Sequence, residues 1–159
     1  MAGVYRAYFI DSSALVKRYV QETGTAWARR LTRRHPSTII YIARITVVEV
    51  TSAVARRRKG TPPLARSRTS SILRRFRQHL DGRYTVIEIT PALLDEAARL
   101  ANAHTLRAYD AVQLAAALAI SRKEEDAGFG PVTLISADQE LNSAAAVEGL
   151  AIEDPRAHP

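Results

Sequence analysis

Short apolar runs alternate along this chain with longer stretches in which apolar residues recur every three or four positions. The first pattern is that of buried strands, the second that of helices with one face on a core. Residues 4–10 read as a strand, after which Asp11-Ser12-Ser13 supplies residues that favour helix caps ahead of a helix over 14–19. A second helix is expected over 25–33, with Trp27 and Leu31 on one face, and a β-branched strand over 39–42. The next helix, 46–59, begins apolar and ends Arg56-Arg57-Arg58-Lys59 before Thr61-Pro62-Pro63 breaks it. Residues 64–80 restart a helix in which Ile72, Leu73, Phe76 and Leu80 share a face. A third strand over 84–89, a helix opened by Pro91 and a nearly apolar, hence buried, helix over 107–122 follow. Residues 124–131 read as a loop, 132–135 as a strand, 138–148 as a helix, 150–152 as a short edge strand and 154–159 as a disordered tail.

Strands that alternate with helices, with no hairpin signature between them, imply right-handed crossovers and a mainly parallel sheet of the α/β class. A ligand site in such a fold belongs at the carboxyl ends of the strands. With 159 residues, 47% of them hydrophobic, the chain has the size of one domain over 1–153 with a real core. No run approaches the roughly 18 apolar residues of a membrane span, and the N-terminus lacks a signal-peptide layout, so a soluble cytoplasmic protein is expected. The absence of cysteine rules out disulfides and thiolate ligands. Any metal must be held by oxygen or by one of four scattered histidines.

Charge sharpens the picture. Residues 23–80 hold fourteen Arg or Lys against one acid, Glu49, whereas residues 81–159 hold six basic and thirteen acidic residues. The total is +7, and twenty of the 23 basic residues are Arg, whose planar fork suits phosphate better than Lys does. The helices flanking Thr61-Pro62-Pro63 form a basic arm, with Arg56, Arg57, Arg58 and Lys59 as candidate nucleic-acid contacts. Basic residues at a helix C-terminus also complement its dipole, which explains one or two of these four but not all.

Four carboxylates stand out by position. Asp11 follows the first strand and Asp138 the strand over 132–135. Glu49 lies among Val47, Val48 and Val50, and Asp110 sits in the first turn of the most apolar helix. Each has a structural alternative. Asp11 suits an N-cap, although Ser12 and Ser13 are available for that task. Glu49 stands three residues after Thr46, the spacing of a capping box. Asp110 favours the helix dipole, and Ser136 with Gln139 makes a second capping box that leaves Asp138 free. Four such alternatives holding at once explain less than one shared acidic site, since burying an unpaired carboxylate costs several kcal/mol and calls for a cation. Oxygen ligands of this kind suit Mg²⁺ or Mn²⁺. Beside a basic face that chemistry is phosphodiester hydrolysis, with Ser13 and Ser136 as hydrogen-bond donors to the acids.

Other schemes lack parts. The chain has no G-x-x-x-x-G-K-[ST] loop and no G-x-G-x-x-G turn. His35, His79, His104 and His158 show no metal-ligand spacing, and Ser12 and Ser13 lack a nucleophile-elbow context. A nucleic-acid-binding domain without catalysis, carrying a structural ion or none, remains the alternative.

The segments Tyr8-Phe9-Ile10-Asp11-Ser12-Ser13-Ala14, Thr46-Val47-Val48-Glu49-Val50, Tyr109-Asp110-Ala111-Val112-Gln113-Leu114 and Leu134-Ile135-Ser136-Ala137-Asp138 come in this order along the chain. Together they resemble the PIN-domain ribonucleases, specifically the VapC toxins of toxin–antitoxin pairs, over residues 5–153. The resemblance implies a three-layer α/β/α sandwich with a central mainly parallel sheet and a basic helical arm. It further implies an acidic quartet of Asp11, Glu49, Asp110 and Asp138 holding Mg²⁺ or Mn²⁺, with Ser13 and Ser136 near it. RNA as substrate, a small antitoxin partner and a homodimer are the family's remaining implications.

Overall fold

The computed structural model describes residues 5–158; Val4, expected in the first strand, and Pro159 lie outside them. Five strands form one sheet: β1 (Arg6–Ile10), β2 (Thr38–Ala43), β3 (Thr85–Ile87), β4 (Thr133–Ile135) and β5 (Ala151–Glu153). Their order is β3-β2-β1-β4-β5, and all four pairings are parallel. The helices are α1 (Ser12–Tyr19), α2 (Thr25–Leu31), α3 (Arg44–Arg56), α4 (Arg66–Gly82), α5 (Pro91–His104), α6 (Ala108–Asp126) and α7 (Gln139–Val147). Short 3₁₀ turns cover Arg57–Lys59 and Pro155–Ala157.

The strand period of two divides the core between two faces. Ala7, Phe9, Tyr41, Ala43 and Leu134 pack with α5, α6 and α7. Ile10, Ile40, Ile42 and Ile135 pack with α1, α3 and α4 around Phe76. The expected three-layer α/β/α arrangement with a parallel sheet is therefore what the chain adopts. Ala111–Leu118 is buried along its whole length, as an all-round apolar helix must be. Among the described residues no helix is long and apolar enough to cross a membrane.

Several boundaries shift by a few residues from the sequence reading, and three of the differences matter for packing. Helix α6 continues to Asp126 instead of yielding to a loop at Glu124, because Glu124 is buried and accepts a 2.7 Å hydrogen bond from the Tyr41 hydroxyl. Helix α3 starts at Arg44, so Thr46 is not its cap. The terminal segment, expected to be disordered, is a capped turn docked on α2. Asp154 accepts from the Arg156 N–H at 2.8 Å, and the His158 ring stacks on Trp27 with centroids 4.6 Å apart. Gly24, with φ at 88°, lets the Pro155 carbonyl come so close that any Cβ would collide with it.

Register sets the site. Ile10 of β1 pairs with Ile135 of β4, and the Asp11 N–H then donates to the Ile135 carbonyl at 3.1 Å. The turns Asp11–Ser13 and Ser136–Asp138 thus leave the sheet side by side at its carboxyl edge.

Candidate active site at the strand ends

Asp11 is almost fully buried, with 2% of its surface exposed. It takes the N-cap of α1 itself, accepting from the Ala14 N–H at 3.0 Å, and so does not leave that task to Ser12 or Ser13. The Ser13 hydroxyl lies 2.8 and 2.9 Å from the two Asp11 oxygens and shares its one proton between them. That same Oγ accepts from the Ala137 N–H at 2.9 Å and sits 3.4 Å from the Ser136 hydroxyl. Ser136, fully buried, accepts from the Asp138 N–H at 3.0 Å. Two serines therefore lace the β1–α1 turn to the β4–α7 turn.

Asp138 is also an N-cap, accepting from the Leu141 N–H at 2.9 Å, so the expected Ser136–Gln139 box does not form. The Thr46–Glu49 box is likewise absent. With α3 starting at Arg44, Glu49 lies in its second turn, and its Oε2 accepts from the Gln113 amide at 2.6 Å. The same amide donates to the Thr46 hydroxyl at 2.9 Å, fixing α3 against α6. Asp110 stands in the first turn of α6 and makes no cap bond.

Electrostatics joins the acids into one group. Burial first, and then Glu49, raise the Asp11 carboxyl to about 7 even though Ser13, the Ala14 N–H and Ser136 hold it down. Glu49 is raised by burial and by Asp110, against the pull of Gln113 and Ser12. Asp110 is raised by burial, Asp138 and Glu140, against Arg107. Each acid feels the next along the line Asp11, Glu49, Asp110, Asp138. Like charges so placed favour a proton or a cation among them.

The donors present fit a small hard cation. All four are carboxylates, and the four histidines have other surroundings: His104 bonds Glu148, His158 stacks on Trp27, His79 bonds Tyr19 and His35 accepts from Ser37. Among the described residues no three acidic or histidine side chains converge into an all-protein cage. Mg²⁺ keeps several waters and is bound through one or two carboxylates together with phosphate oxygens, so it does not require such a cage.

Beside the acids lies a cleft of about 350 Å³ lined by Ser12, Ser13, Glu49, Arg56 and Tyr109, among others. Of the four expected nucleic-acid contacts, Arg56 alone lines this cleft. Arg57 forms an ion pair with Glu22, the Arg58 Nε donates to the Ala55 carbonyl at 3.2 Å, and Lys59 is exposed in the following turn. Gln113 went unnoticed in the sequence, although it is the single polar residue in the run Ala111–Leu118. So did Asn142, whose amide donates to the Ser136 carbonyl at 2.9 Å.

Five parallel strands with Asp11 and Asp138 in the turns at their carboxyl edge define an open α/β fold, and residues 8–147 match the PIN domain. The chain belongs to the PIN domain family. No curated protein matches it. Among solved structures it is similar to PAE2754 from Pyrobaculum aerophilum, at 20% identity and a TM-score of 0.62, over 99% of this chain and 94% of that one. It is similar to VapBC2 from Rickettsia felis, solved bound to a DNA fragment from its promoter, at 15% identity and TM-score 0.62, over 93% and 98% of the two chains. The sarcin-ricin loop cleaving toxin VapC20 of Mycobacterium tuberculosis matches at 16% identity and TM-score 0.62, over 86% and 94%. At these identities the likeness speaks for the fold.

Proposed function

We propose that the chain is a metal-dependent endoribonuclease acting as the toxin of a toxin–antitoxin pair. The observation that carries this reading is the line of four electrostatically coupled carboxylates at the carboxyl edge of a PIN-domain sheet. Membership of the family supports a nuclease. Likeness to a sarcin-ricin loop cleaving toxin and to a VapBC complex supports RNA as substrate and a small antitoxin as partner. A homodimer and a cytoplasmic setting belong to the same reading.

In this mechanism the ion, Mg²⁺ or Mn²⁺, would be held among Asp11, Glu49, Asp110 and Asp138, directly by one or two of the carboxylates and by the others through its waters. A bound ion of this kind supplies a more acidic water and neutralises charge at the leaving oxygen. The chain's own groups do the positioning. Ser13 and the Ala14 N–H fix Asp11, and Gln113 fixes Glu49. Glu49 and Asp110, both only partly buried and both with raised affinity for a proton, accept hydrogen bonds from the attacking water and orient it. Arg56, which lines the adjoining cleft, meets the phosphate backbone, a contact that sets affinity and not sequence choice.

One observation favours the non-catalytic alternative: Asp11 and Asp138 both cap helices and so already have structural work. Cleavage of total RNA by wild type and by Asp110→Asn, each with Mg²⁺ and with EDTA, separates the readings. The nuclease reading requires Mg²⁺-dependent fragments from wild type and none from a folded Asp110→Asn. Fragments indifferent to chelation, or no cleavage by either protein, overturn it.

A further inference from the structure

A second cleft, of about 380 Å³, opens between the last turn of α1, α2 and the C-terminal half of α4. It is lined by Arg18, Arg29, Arg33, Arg75, His79 and Arg83 around the buried Tyr19. Arg44, Arg57, Arg99, Arg122 and Arg156 each find a carboxylate. Among the described residues the other fifteen arginines do not, and five of them share this cleft.

Three of these arginines are pinned by neutral oxygens instead. Arg18 donates to the Arg29 carbonyl at 3.3 Å and to the Thr32 hydroxyl, while the Arg29 Nε donates back to the Arg18 carbonyl at 3.1 Å. Arg83 reaches the Thr32 carbonyl at 3.4 Å. The Arg18 Nε is buried without a partner. His79, bonded at 2.8 Å to the Tyr19 hydroxyl, is pushed down to about 4 by burial and then by Arg18, Arg83 and Arg75, so it adds no charge. Five positive charges lining one cleft, three of them fixed, need an anion, and guanidinium forks present paired N–H donors that match phosphate oxygens. The volume equals roughly a dozen waters, room for a phosphate with its sugar.

We infer that the arginine cleft between α1, α2 and α4 is a phosphate-binding site that grips the RNA strand away from the acidic site. This rests on the RNA reading above. Asp11 at the start of α1 and Arg18 in its last turn are about 10 Å apart along the helix at 1.5 Å per residue. The strand is thereby held at two separated points, and cleavage occurs at only one of them.

The test measures anisotropy of a labelled single-stranded RNA with the full chain in EDTA, which stops cleavage. Wild type is compared with Arg29→Ala/Arg75→Ala and with Arg74→Ala/Arg77→Ala, which removes equal charge from α4 outside the cleft. The substituted residues are all exposed, so the core is untouched. The cleft pair is expected to weaken binding about tenfold and to lower the salt slope by about 0.7 for the one phosphate lost, with the control within about twofold. Inorganic pyrophosphate should compete with RNA on wild type and not on the cleft variant. Equal weakening by both pairs means diffuse charge and overturns the proposal. RNA binding unchanged in the cleft variant, with loss of a polyglutamate peptide instead, gives the cleft to an acidic protein segment and also overturns it. Wild type that binds pyrophosphate through the cleft but no RNA keeps a phosphate site for a small ligand and sinks the nuclease reading separately.

Discussion

The two ends of helix α1 carry like-charge clusters of opposite sign, and they are built differently. At its start, Asp11 and the acids around it are held by donors aimed at carboxylates: Ser13, the Ala14 N–H and Gln113. At its end, Arg18 and its neighbours are held by backbone carbonyls that fix their positions without cancelling their charge. The acidic cluster has partly offset its own repulsion, and in the proposed reading a cation would complete the balance. The basic cluster leaves its repulsion unrelieved until an anion arrives. A protein that binds a polyanion and cuts it needs both: affinity from unpaired positive charge, chemistry from negative charge kept in fixed geometry.

Removing charge from each end should therefore have unequal consequences. The largest is expected for Asp110→Asn, which removes an acid that makes no cap bond: single-turnover cleavage of labelled RNA should fall roughly 10²–10⁴-fold with unchanged circular dichroism. Next is Gln113→Ala. Losing the donor that orients Glu49 and pairs Thr46 should slow cleavage about 10–100-fold and, by leaving buried oxygens unpaired, cost about 1–3 kcal/mol in urea unfolding.

Asp11→Asn should raise stability. The folded Asp11 has its pKa raised from 3.8 to about 7, so its contribution is full below about pH 4 and is lost as pH climbs to about 7. Asparagine escapes that loss while keeping an acceptor for Ala14. The variant should thus be more stable than wild type by about 1–3 kcal/mol at pH 8, with the gap closing toward pH 4. A wild type that is the more stable protein at pH 8 would show Asp11 to be a structural cap first. The smallest effect is expected for Arg29→Ala, a rise of about 1–2 °C in Tm at low salt that disappears at high salt as screening replaces the missing anion.

Element order and sheet class were legible in the sequence because apolar runs and caps encode them locally. The four acids were legible too, since Asp11 and Asp138 directly follow strands and Glu49 and Asp110 interrupt apolar stretches. What escaped depends on convergence across the chain. Capping went to Asp11 and Asp138 themselves because sheet register pulls Ser13 and Ser136 toward each other. Gln113 looked like one more position of a buried helix, and its role exists only because α3 crosses that point. The basic arm over the helices flanking Thr61-Pro62-Pro63 is legible as a local run of charge. The cleft arginines gather from positions 18, 29, 33, 75 and 83, which only the packing of α1, α2 and α4 brings together. The tail was misjudged because its anchors, Gly24 and Trp27, lie far upstream.

The shared acidic site is tested most directly by calorimetric titration of Mn²⁺ into wild type, Asp11→Asn and Asp110→Asn at pH 7.5. Saturable binding by wild type, weakened at least about tenfold in both variants, is the expected result. Equal binding by all three proteins, or none by wild type, would contradict the idea that acids from four separate segments act as one site.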